Sequence, residues 1–203
     1  NDIVFVSTSL LTNFEIILID DHSTDDSFKI ASQFSTEENI KIFSLQKNKG
    51  FGAAYHKGIT ECTLSFCMYL PADGDVSREE LFYLLKTWDG SSILVQYCQN
   101  PHQRKYFRYL LSLFYTKIVS LASHLHLPYY NGFNILPKCN FNFPSNFGFS
   151  NQAFYLISSI KQSKKNIQTL STLCRFNDAE SKAITFKNIY QSFRFIIYIL
   201  NEL

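Results

Sequence analysis

The segment Ser65–Arg78 has the sequence SFCMYLPADGDVSR, which predicts a strand, an acidic turn and the start of a helix. Its apolar residues form the predicted strand, which ends at Pro71. Asp73 and Asp75 follow one residue apart, and carboxylates held in such a turn are suited to bind Mg²⁺ or Mn²⁺. The alternative is an ordinary polar turn, because Asp and Gly are common in loops.

The same alternation of strands and helices extends in both directions from this segment. Strands are predicted at Phe14–Asp20, Ile40–Leu45, Thr63–Leu70 and Ser92–Gln96, and helices at Ser27–Phe34, Ala53–Thr60 and Arg78–Thr87. The pattern of Asp2–Leu11 fits a strand or a helix, and a short helix is favoured. A chain of 203 residues is long enough for one α/β domain and short for two. We therefore expect a single domain over residues 1–203, with an open, mostly parallel sheet flanked by helices. Ligands of such sheets bind at the carboxyl ends of the strands.

The second half of the chain is predicted to begin with a long helix over Gln103–His126. Its apolar residues on one face are Tyr106, Leu110, Leu113, Phe114, Ile118 and Leu121. Such a face either lies on a membrane or packs on the core of the domain, and both alternatives are open. The later predicted elements are a short strand within Pro128–Pro137, a helix at Asn151–Lys161, a strand at Ile167–Phe176 and a helix at Phe186–Leu200.

Charge is distributed unevenly between the two halves. Residues 1–100 carry 7 Lys and Arg against 14 Asp and Glu, a net charge of −7, whereas residues 101–203 carry 12 against 3, a net charge of +9. A basic, aromatic-rich half suggests a surface for phosphates, nucleic acid or anionic lipid, and an acidic half fits metal and ribose binding. Because the basic half lacks a clustered run of Lys and Arg, we do not expect a nucleic-acid partner.

The cysteines and the apolar runs bear on location. The five cysteines are odd in number and form no C-x-x-C pair, which predicts reduced thiols in a cytoplasmic protein and argues against a zinc site. The chain does not open with the pattern of a signal peptide, and no apolar run reaches the length of about 18 residues that a membrane span needs. We expect a cytoplasmic protein that is peripheral at the membrane.

Three polar segments at the ends of predicted strands carry a family resemblance. They are ILIDDHSTDDS (17–27), NKGFGAAYHKGI (48–59) and LPADGDVS (70–77), and their order and spacing resemble the family-2 glycosyltransferases with the GT-A fold. More narrowly they resemble the branch that loads a sugar onto a dolichyl, undecaprenyl or other polyprenyl phosphate. The later segments QNPHQRKYFRYLLSLFYTKIVSLA (99–122), PYYNGFNILPK (128–138) and FNDAESKA (176–183) agree with it.

The resemblance implies a donor half over residues 1–98. There a UDP- or GDP-sugar would be bound by Asp20, Asp21, Ser23, Asn48, Lys49 and Gly50. Asp73 and Asp75 would hold Mg²⁺ or Mn²⁺ against the diphosphate and thereby take part in catalysis. The alternative for Asp21, Ser23 and Asp25 is a helix cap with no ligand.

The resemblance also implies an acceptor and membrane-facing half over residues 99–203. A phosphate acceptor is already an anionic nucleophile, so the reaction needs cations to position it and no general base. The residues implied for this role are Arg104, Arg108, Ser112, Arg175, Ser181 and Lys182, with Arg108 and Lys182 counted as catalytic. The alternative for these residues is a solvated basic face.

The chain departs from the family pattern at several points. Family members begin with a strand of the type V-V-I-P-x-Y-N-E, which is not found before Asp2–Leu11, so the sequence is either part of a longer protein or lacks a central strand. Such a loss would open a sheet edge. Pro71 stands where many relatives have the first acidic residue of the metal loop, and Asn131 stands where a frequent Asp is found.

We therefore expect a metal-dependent, inverting glycosyltransferase with a polyprenyl phosphate acceptor. One alternative is a transferase that uses a saccharide or protein hydroxyl, which needs a catalytic carboxylate; the second half offers Asp178, Glu180 and Glu202. The other alternative is a degenerate, non-catalytic module that binds a nucleotide or a partner protein.

Overall fold

A computed structural model describes residues 2–72, 74–139, 146–174 and 185–202. Helices and strands alternate in the first half, as the sequence predicts. In chain order they are α1 (Asp2–Leu10), β1 (Ile16–Asp20), α2 (Ser27–Ser32), β2 (Ile40–Ser44), α3 (Phe51–Glu61), β3 (Phe66–Met68), α4 (Arg78–Thr87), β4 (Ile93–Cys98), α5 (Tyr106–Ser123), β5 (Ile135–Pro137), α6 (Asn151–Ser163), β6 (Ile167–Thr172) and α7 (Phe186–Glu202).

Most differences from the predicted bounds are one or two residues, and three predicted elements are longer than the observed ones by more than that. The strand predicted at Thr63–Leu70 is shorter, because β3 pairs only with the three residues of β5, which ends at Pro137. The strand predicted at Ile167–Phe176 ends at Thr172. The long helix begins at Tyr106 and not at Gln103, because Arg104 and Lys105 have extended backbone angles. It ends at Ser123, where His124 adopts a left-handed conformation with φ 57°.

The strands form an α/β fold with mostly parallel pairing and helices on the faces of the sheets, which confirms the predicted fold class. Strand β1 pairs in parallel with β2, and β4 pairs in parallel with β6. Strand β5 runs antiparallel between β3 and β4, giving the order β3-β5-β4-β6. The described residues therefore contain two sheets where one was expected, and β1 and β3 each have an edge without a partner strand within them.

Glu15 connects the two sheets at the amino-terminal ends of β1 and β3. Its carboxylate accepts hydrogen bonds from the backbone nitrogens of Thr63 (2.5 Å) and Leu64 (3.1 Å) and forms an ion pair with Lys41 at 2.8 Å. Desolvation raises the pKa of Glu15, but the bonds from Lys41 and the backbone outweigh it and lower the pKa to about 2. A half-buried carboxylate thus holds β1 beside β3, which are not joined by a strand ladder within the described residues.

The hydrophobic core lies on both faces of the larger sheet. Ile93 and Val95 of β4 point to one face, where α6 is buried along most of its length and α5 and α7 also pack. Leu94 points to the other face and packs with Leu84 of α4 and Leu170 of β6. The alternation along β4 is that of a central strand covered on both sides.

The outer face of α5 is apolar. Val119, Ala122 and Ser123 are its buried residues, whereas five of the apolar residues predicted on one face, Tyr106, Leu110, Leu113, Phe114 and Leu121, are exposed, and Ile118 is half-buried. Of the two alternatives for this face, packing on the core is therefore wrong for most of its length. Among the described residues, no helix combines the length and hydropathy of a membrane span.

Candidate functional site

The carboxyl end of β1 presents two adjacent carboxylates, and each has its own set of hydrogen bonds. Asp20 accepts from the backbone nitrogen of Ser23 (3.1 Å) and from Oγ of Ser44 at the end of β2 (2.8 Å). Desolvation raises the pKa of Asp20, but the hydrogen bonds from Ser23 and Ser44 outweigh it, so the net shift is downward. Asp20 therefore stays ionised at neutral pH and orders the loop that follows β1.

Asp21 joins this loop to the one that precedes α3. One of its carboxylate oxygens accepts from the backbone nitrogen of Lys49 at 2.8 Å, and the other accepts from the backbone nitrogen of Gly50 at 2.7 Å. Gly50 has a φ of 85°, a conformation that favours glycine, and lies directly before α3. Two of the segments predicted to bind the nucleotide are thus brought together, while the side chains of Asn48 and Lys49 are exposed.

Of Asp21, Ser23 and Asp25, for which a helix cap was the alternative to nucleotide binding, only Asp25 contacts the start of α2. Asp25 accepts from the backbone nitrogen of Ser27 at 3.0 Å, at the first residue of α2. Ser23 and Asp21 make the other contacts given above and do not cap α2. The predicted role of Asp20, Asp21 and Ser23 in nucleotide binding stays a prediction.

Two asparagines that the sequence did not single out hold the Lys49–Gly52 loop from the opposite side. Asn146 Nδ2 donates to the backbone oxygen of Lys49 at 3.2 Å, and the buried Asn151 Nδ2 donates to that of Gly52 at 2.7 Å. A Cβ atom at Gly52 would lie 2.8 Å from Asn151 Nδ2 and 2.8 Å from the backbone oxygen of Gly148, so no larger residue fits there without a shift. Nothing in the local sequence around these asparagines indicates this contact across the chain.

A row of aromatic rings connects this loop with the end of β3. Phe149 stacks on Phe51 with ring centroids 4.9 Å apart, and Phe51 meets Tyr69 edge to face at 5.2 Å. Tyr69 lies 6.4 Å from Phe133, in the segment that precedes β5. These contacts bring three predicted site segments to one end of the sheets, at the carboxyl ends of β1 and β3.

The metal loop is described only in part. Gly74 has a φ of 80° and Asp75 is half-buried, whereas Asp73 lies outside the described residues. Ser77 caps α4 by accepting from the backbone nitrogen of Glu80 at 3.1 Å, which fixes the start of the helix directly after the loop. Within the described ranges, no group of three or more His, Cys, Asp or Glu side chains is arranged to hold a metal ion. Of the predicted pair only Asp75 is described, so the fit of the pair to a metal stays a prediction.

A buried polar network connects the start of α4 with the segment before β5. Thr172 donates to the Glu80 carboxylate at 2.5 Å and accepts from Gln96 Nε2 at 2.7 Å. The side-chain oxygen of Gln96 accepts from the backbone nitrogen of Phe133, and its own backbone nitrogen donates to Asn134 Oδ1, both at 3.0 Å. The network orders the segment that contains Gly132 and Phe133 against β4, and sequence reasoning missed its members.

The predicted acceptor residues of α5 face inward, on the side opposite to its apolar residues. Arg108 and Ser112 are half-buried and one helical turn apart, and Arg108 forms no ion pair within the described part of the chain. Arg104 precedes the helix, and its guanidinium lies over the ring of Tyr129 at 5.7 Å from the centroid. Arg175, Ser181 and Lys182 lie outside the described residues.

Two buried polar atoms lie near the same side of α5. The hydroxyl of Tyr115 and Oδ1 of Asn131 are buried without a hydrogen bond of good geometry, although the Tyr115 side chain lies within interaction distance of Asn131 and Ser150. Desolvation raises the pKa of Tyr115, so its hydroxyl is protonated at neutral pH and available as a donor. Buried polar atoms without partners are uncommon in folded proteins and are often found where a ligand or water binds.

The arrangement of loops at the carboxyl ends of the strands agrees with a comparison with known families. The model of "Glycosyl transferase family 2" matches residues 6–157, about three quarters of the chain. The chain belongs to this family. The matched range includes every residue predicted to bind the nucleotide sugar or the metal, together with Arg104, Arg108 and Ser112 of the predicted acceptor site. It ends before Arg175.

The curated relatives of the family 2 domain differ in the acceptors that their names give. A poly-beta-1,6-N-acetyl-D-glucosamine synthase from Staphylococcus epidermidis is 29% identical over 90 residues, which are 44% of this chain and 22% of the relative. A cholesterol galactosyltransferase from Borreliella burgdorferi is 39% identical over 87 residues, or 41% and 24% of the two chains. A dolichyl-phosphate beta-glucosyltransferase from Dictyostelium discoideum is 34% identical over 65 residues, or 30% and 20%.

These matches confirm the predicted family and only hint at the predicted branch. The aligned segments span about a quarter or less of the length of these relatives. The acceptors in the three names are a polysaccharide, a sterol and a lipid phosphate, so the family 2 domain by itself does not define the acceptor. The family generally uses a divalent metal, and the metal of this chain is part of the proposal below.

Proposed function

We propose that the chain is the catalytic domain of an inverting, metal-dependent glycosyltransferase that moves a sugar from a UDP- or GDP-sugar to a polyprenyl phosphate. The observation that carries the proposal is the position of Arg108, a half-buried cation of a family 2 domain that has no ion-pair partner within the described residues. A half-buried arginine without a carboxylate partner is a natural ligand for a phosphate.

The donor would lie at the carboxyl ends of β1 and β2. The loops there are already ordered by Asp21 on one side and by Asn146 and Asn151 on the other, so little entropy remains to be lost on binding. The exposed side chains of Asn48 and Lys49 are free of packing constraints to contact a nucleotide. A divalent metal, when bound by Asp73 and Asp75, would neutralise charge on the diphosphate.

The acceptor would approach along the inner side of α5. Its phosphate oxygen would form a bond to the anomeric carbon of the sugar while the bond from that carbon to the nucleoside diphosphate breaks. Arg104, Arg108 and Ser112 would position the phosphate, and Arg175, Ser181 and Lys182 are proposed to complete its site. The buried hydroxyl of Tyr115, which forms no hydrogen bond of good geometry, would offer a further donor nearby.

A saccharide acceptor is the second candidate, because one relative is named as a polysaccharide synthase. That reaction needs a carboxylate base, and the described carboxylate of Glu80 is already engaged by Thr172 in a buried network. Glu202 is exposed at the end of α7, where it is available to solvent. A phosphate acceptor needs no carboxylate base, so it does not require a role for Glu80 or Glu202.

The first experiment is calorimetric titration with UDP- and GDP-sugars, with and without Mn²⁺. We expect binding to one nucleotide that depends on the metal and is lost in Asp73→Ala. Binding without the metal dependence would contradict the metal assignment, and no binding to either nucleotide would contradict the donor assignment and leave the non-catalytic module.

The acceptor is tested by sugar transfer to polyprenyl phosphate in detergent. Loss of a charged hydrogen bond corresponds to about 1.5–3 kcal/mol, so Arg108→Ala is expected to raise KM for the acceptor by about 10- to 150-fold with little effect on KM for the donor. Lys105→Ala is the matched control, because Lys105 is an exposed cation near the same end of α5. Equal acceptor KM values for both variants, or transfer to an oligosaccharide in place of the lipid phosphate, would refute the acceptor assignment.

A further inference from the structure

Helix α5 exposes a stripe of large apolar residues along its whole length. Phe107, Leu110, Phe114 and Leu121 follow one another at intervals of three, four and seven residues and are therefore on one side of the helix. Between 43% and 64% of the surface of each of these residues is exposed. A surface helix of a soluble domain normally has the opposite orientation, with its apolar side toward the core.

Helix α7 contacts α5 and exposes a second stripe of the same kind. Phe195 and Ile199 anchor it in the core, whereas its outer side carries Phe186, Ile189, Tyr190, Phe193, Ile197 and Leu200, each at least 43% exposed. We name the exposed apolar residues of these two contacting helices the α5–α7 face. Single exposed apolar residues are ordinary, but two contacting helices that both expose their apolar sides indicate an interaction surface.

Positive charge accompanies the α5–α7 face. Within the described residues the two helices carry Arg108, Lys117, Lys187 and Arg194, and their one acidic residue is Glu202 at the end of α7. Lys117 and Lys187 are exposed. Apolar and aromatic residues combined with Lys and Arg are typical of helices that lie in the headgroup region of a membrane with anionic lipids.

We propose that the α5–α7 face docks on an anionic membrane surface, with the phenylalanines inserted at the boundary of the acyl chains and the lysines toward the lipid headgroups. The inference rests on the proposed function for its purpose, because a polyprenyl phosphate is held in a bilayer. Helix α5 would serve both steps, since its outer side carries Phe107 and Phe114 and its inner side carries Arg108 and Ser112.

The test is sedimentation of the protein with vesicles of phosphatidylcholine mixed with phosphatidylglycerol, and with vesicles of phosphatidylcholine alone. We expect binding to the mixed vesicles that weakens as salt is raised. Phe114→Ser combined with Phe193→Ser removes two inserted rings and is expected to lower the partition coefficient by about a hundredfold. Lys117→Gln combined with Lys187→Gln is expected to lower it by about thirtyfold, and only on anionic vesicles.

The matched controls lie on α2, away from the α5–α7 face. Ile30 is 56% exposed and Lys29 is exposed beside it, so Ile30→Ser and Lys29→Gln remove similar groups and are expected to leave vesicle binding unchanged. Equal loss in the controls, or no binding of the wild-type protein to either kind of vesicle, would overturn the proposal. A dimer in analytical ultracentrifugation that Phe114→Ser and Phe193→Ser dissociate would overturn it as well, because the face would then join two copies of the chain.

The proposed acceptor is tested separately from this surface. Sugar transfer to a polyprenyl phosphate dispersed in detergent needs no bilayer, so a failure of transfer with intact vesicle binding refutes the proposed function and leaves the docking surface. When both proposals are correct, Phe114→Ser and Phe193→Ser leave sugar transfer in detergent unchanged. The same two substitutions then abolish transfer to a polyprenyl phosphate held in vesicles.

Discussion

The bonds of Asp21 to the backbone of Lys49 and Gly50 make the order of the donor loop depend on one carboxylate. In Asp21→Asn one of the two oxygens becomes an NH₂ group that faces a backbone N–H and cannot accept from it. Bonds to a charged acceptor correspond to about 1.5–3 kcal/mol each. Because Asp21 is half-buried, a total loss near the low end of that range, about 2 kcal/mol, is expected.

The loss is measured as hydrogen–deuterium exchange of the Lys49 and Gly50 amides without nucleotide. A change of about 2 kcal/mol raises the equilibrium constant for local opening, and with it the exchange rate, by about thirtyfold. Asp26→Asn is the matched control, because Asp26 lies in the same loop and its side chain makes no capping bond to α2. The reasoning is refuted when Asp21→Asn exchanges these amides at the wild-type rate, or when Asp26→Asn accelerates them equally.

Two further predictions concern stability. Gly52→Ala is expected to destabilise the fold by about 1–3 kcal/mol in urea unfolding, because the added Cβ meets Asn151. In the control Gly58→Ala the added Cβ meets only Ile19 at 3.7 Å, so this variant is expected to stabilise the fold by about 0.5–1 kcal/mol. A loss of stability in both variants would contradict the steric argument. The lowered pKa of Glu15 adds stability that is complete above pH about 4.5 and is lost as the pH falls toward about 2. Glu15→Gln should therefore remove about 3 kcal/mol of this pH dependence in unfolding measurements across that window, and a pH profile identical to that of the wild type would contradict it.

Elements with strong local determinants could be predicted from the sequence. Helix α4 begins and ends at the predicted residues, because Ser77 supplies a cap within the chain segment itself and Pro71 and Gly74 exclude an earlier start. Strand β1 follows from a β-branched apolar run that needs no knowledge of its neighbours. The length of β3 could not be predicted in this way, because it depends on the three residues of its partner β5.

The candidate site was predictable in its parts and not in its connections. The acidic and glycine-containing loops are visible as strings of residues at the ends of predicted strands. The asparagine contacts that fix one of these loops span 97 and 99 residues, and no local pattern of residue types indicates a hydrogen bond over that separation. The same is true of the network from Glu80 through Thr172 to Gln96, whose members look like ordinary strand and helix residues.

The sequence by itself determined the fold class and the order of polar loops, because strand and helix periodicity and turn chemistry are properties of neighbouring residues. The family followed from the resemblance of those loops to known sequences. Only the tertiary structure decided what Asp21 binds within the chain and which way the apolar side of α5 faces. The periodicity of α5 defines an apolar side but not its direction, since the core space beneath the helix is already filled by Val119 and Ala122 of its opposite side and by α6 and α7. Which surface of a helix is buried is decided by the volume that its neighbours leave, and that volume exists only in the folded chain.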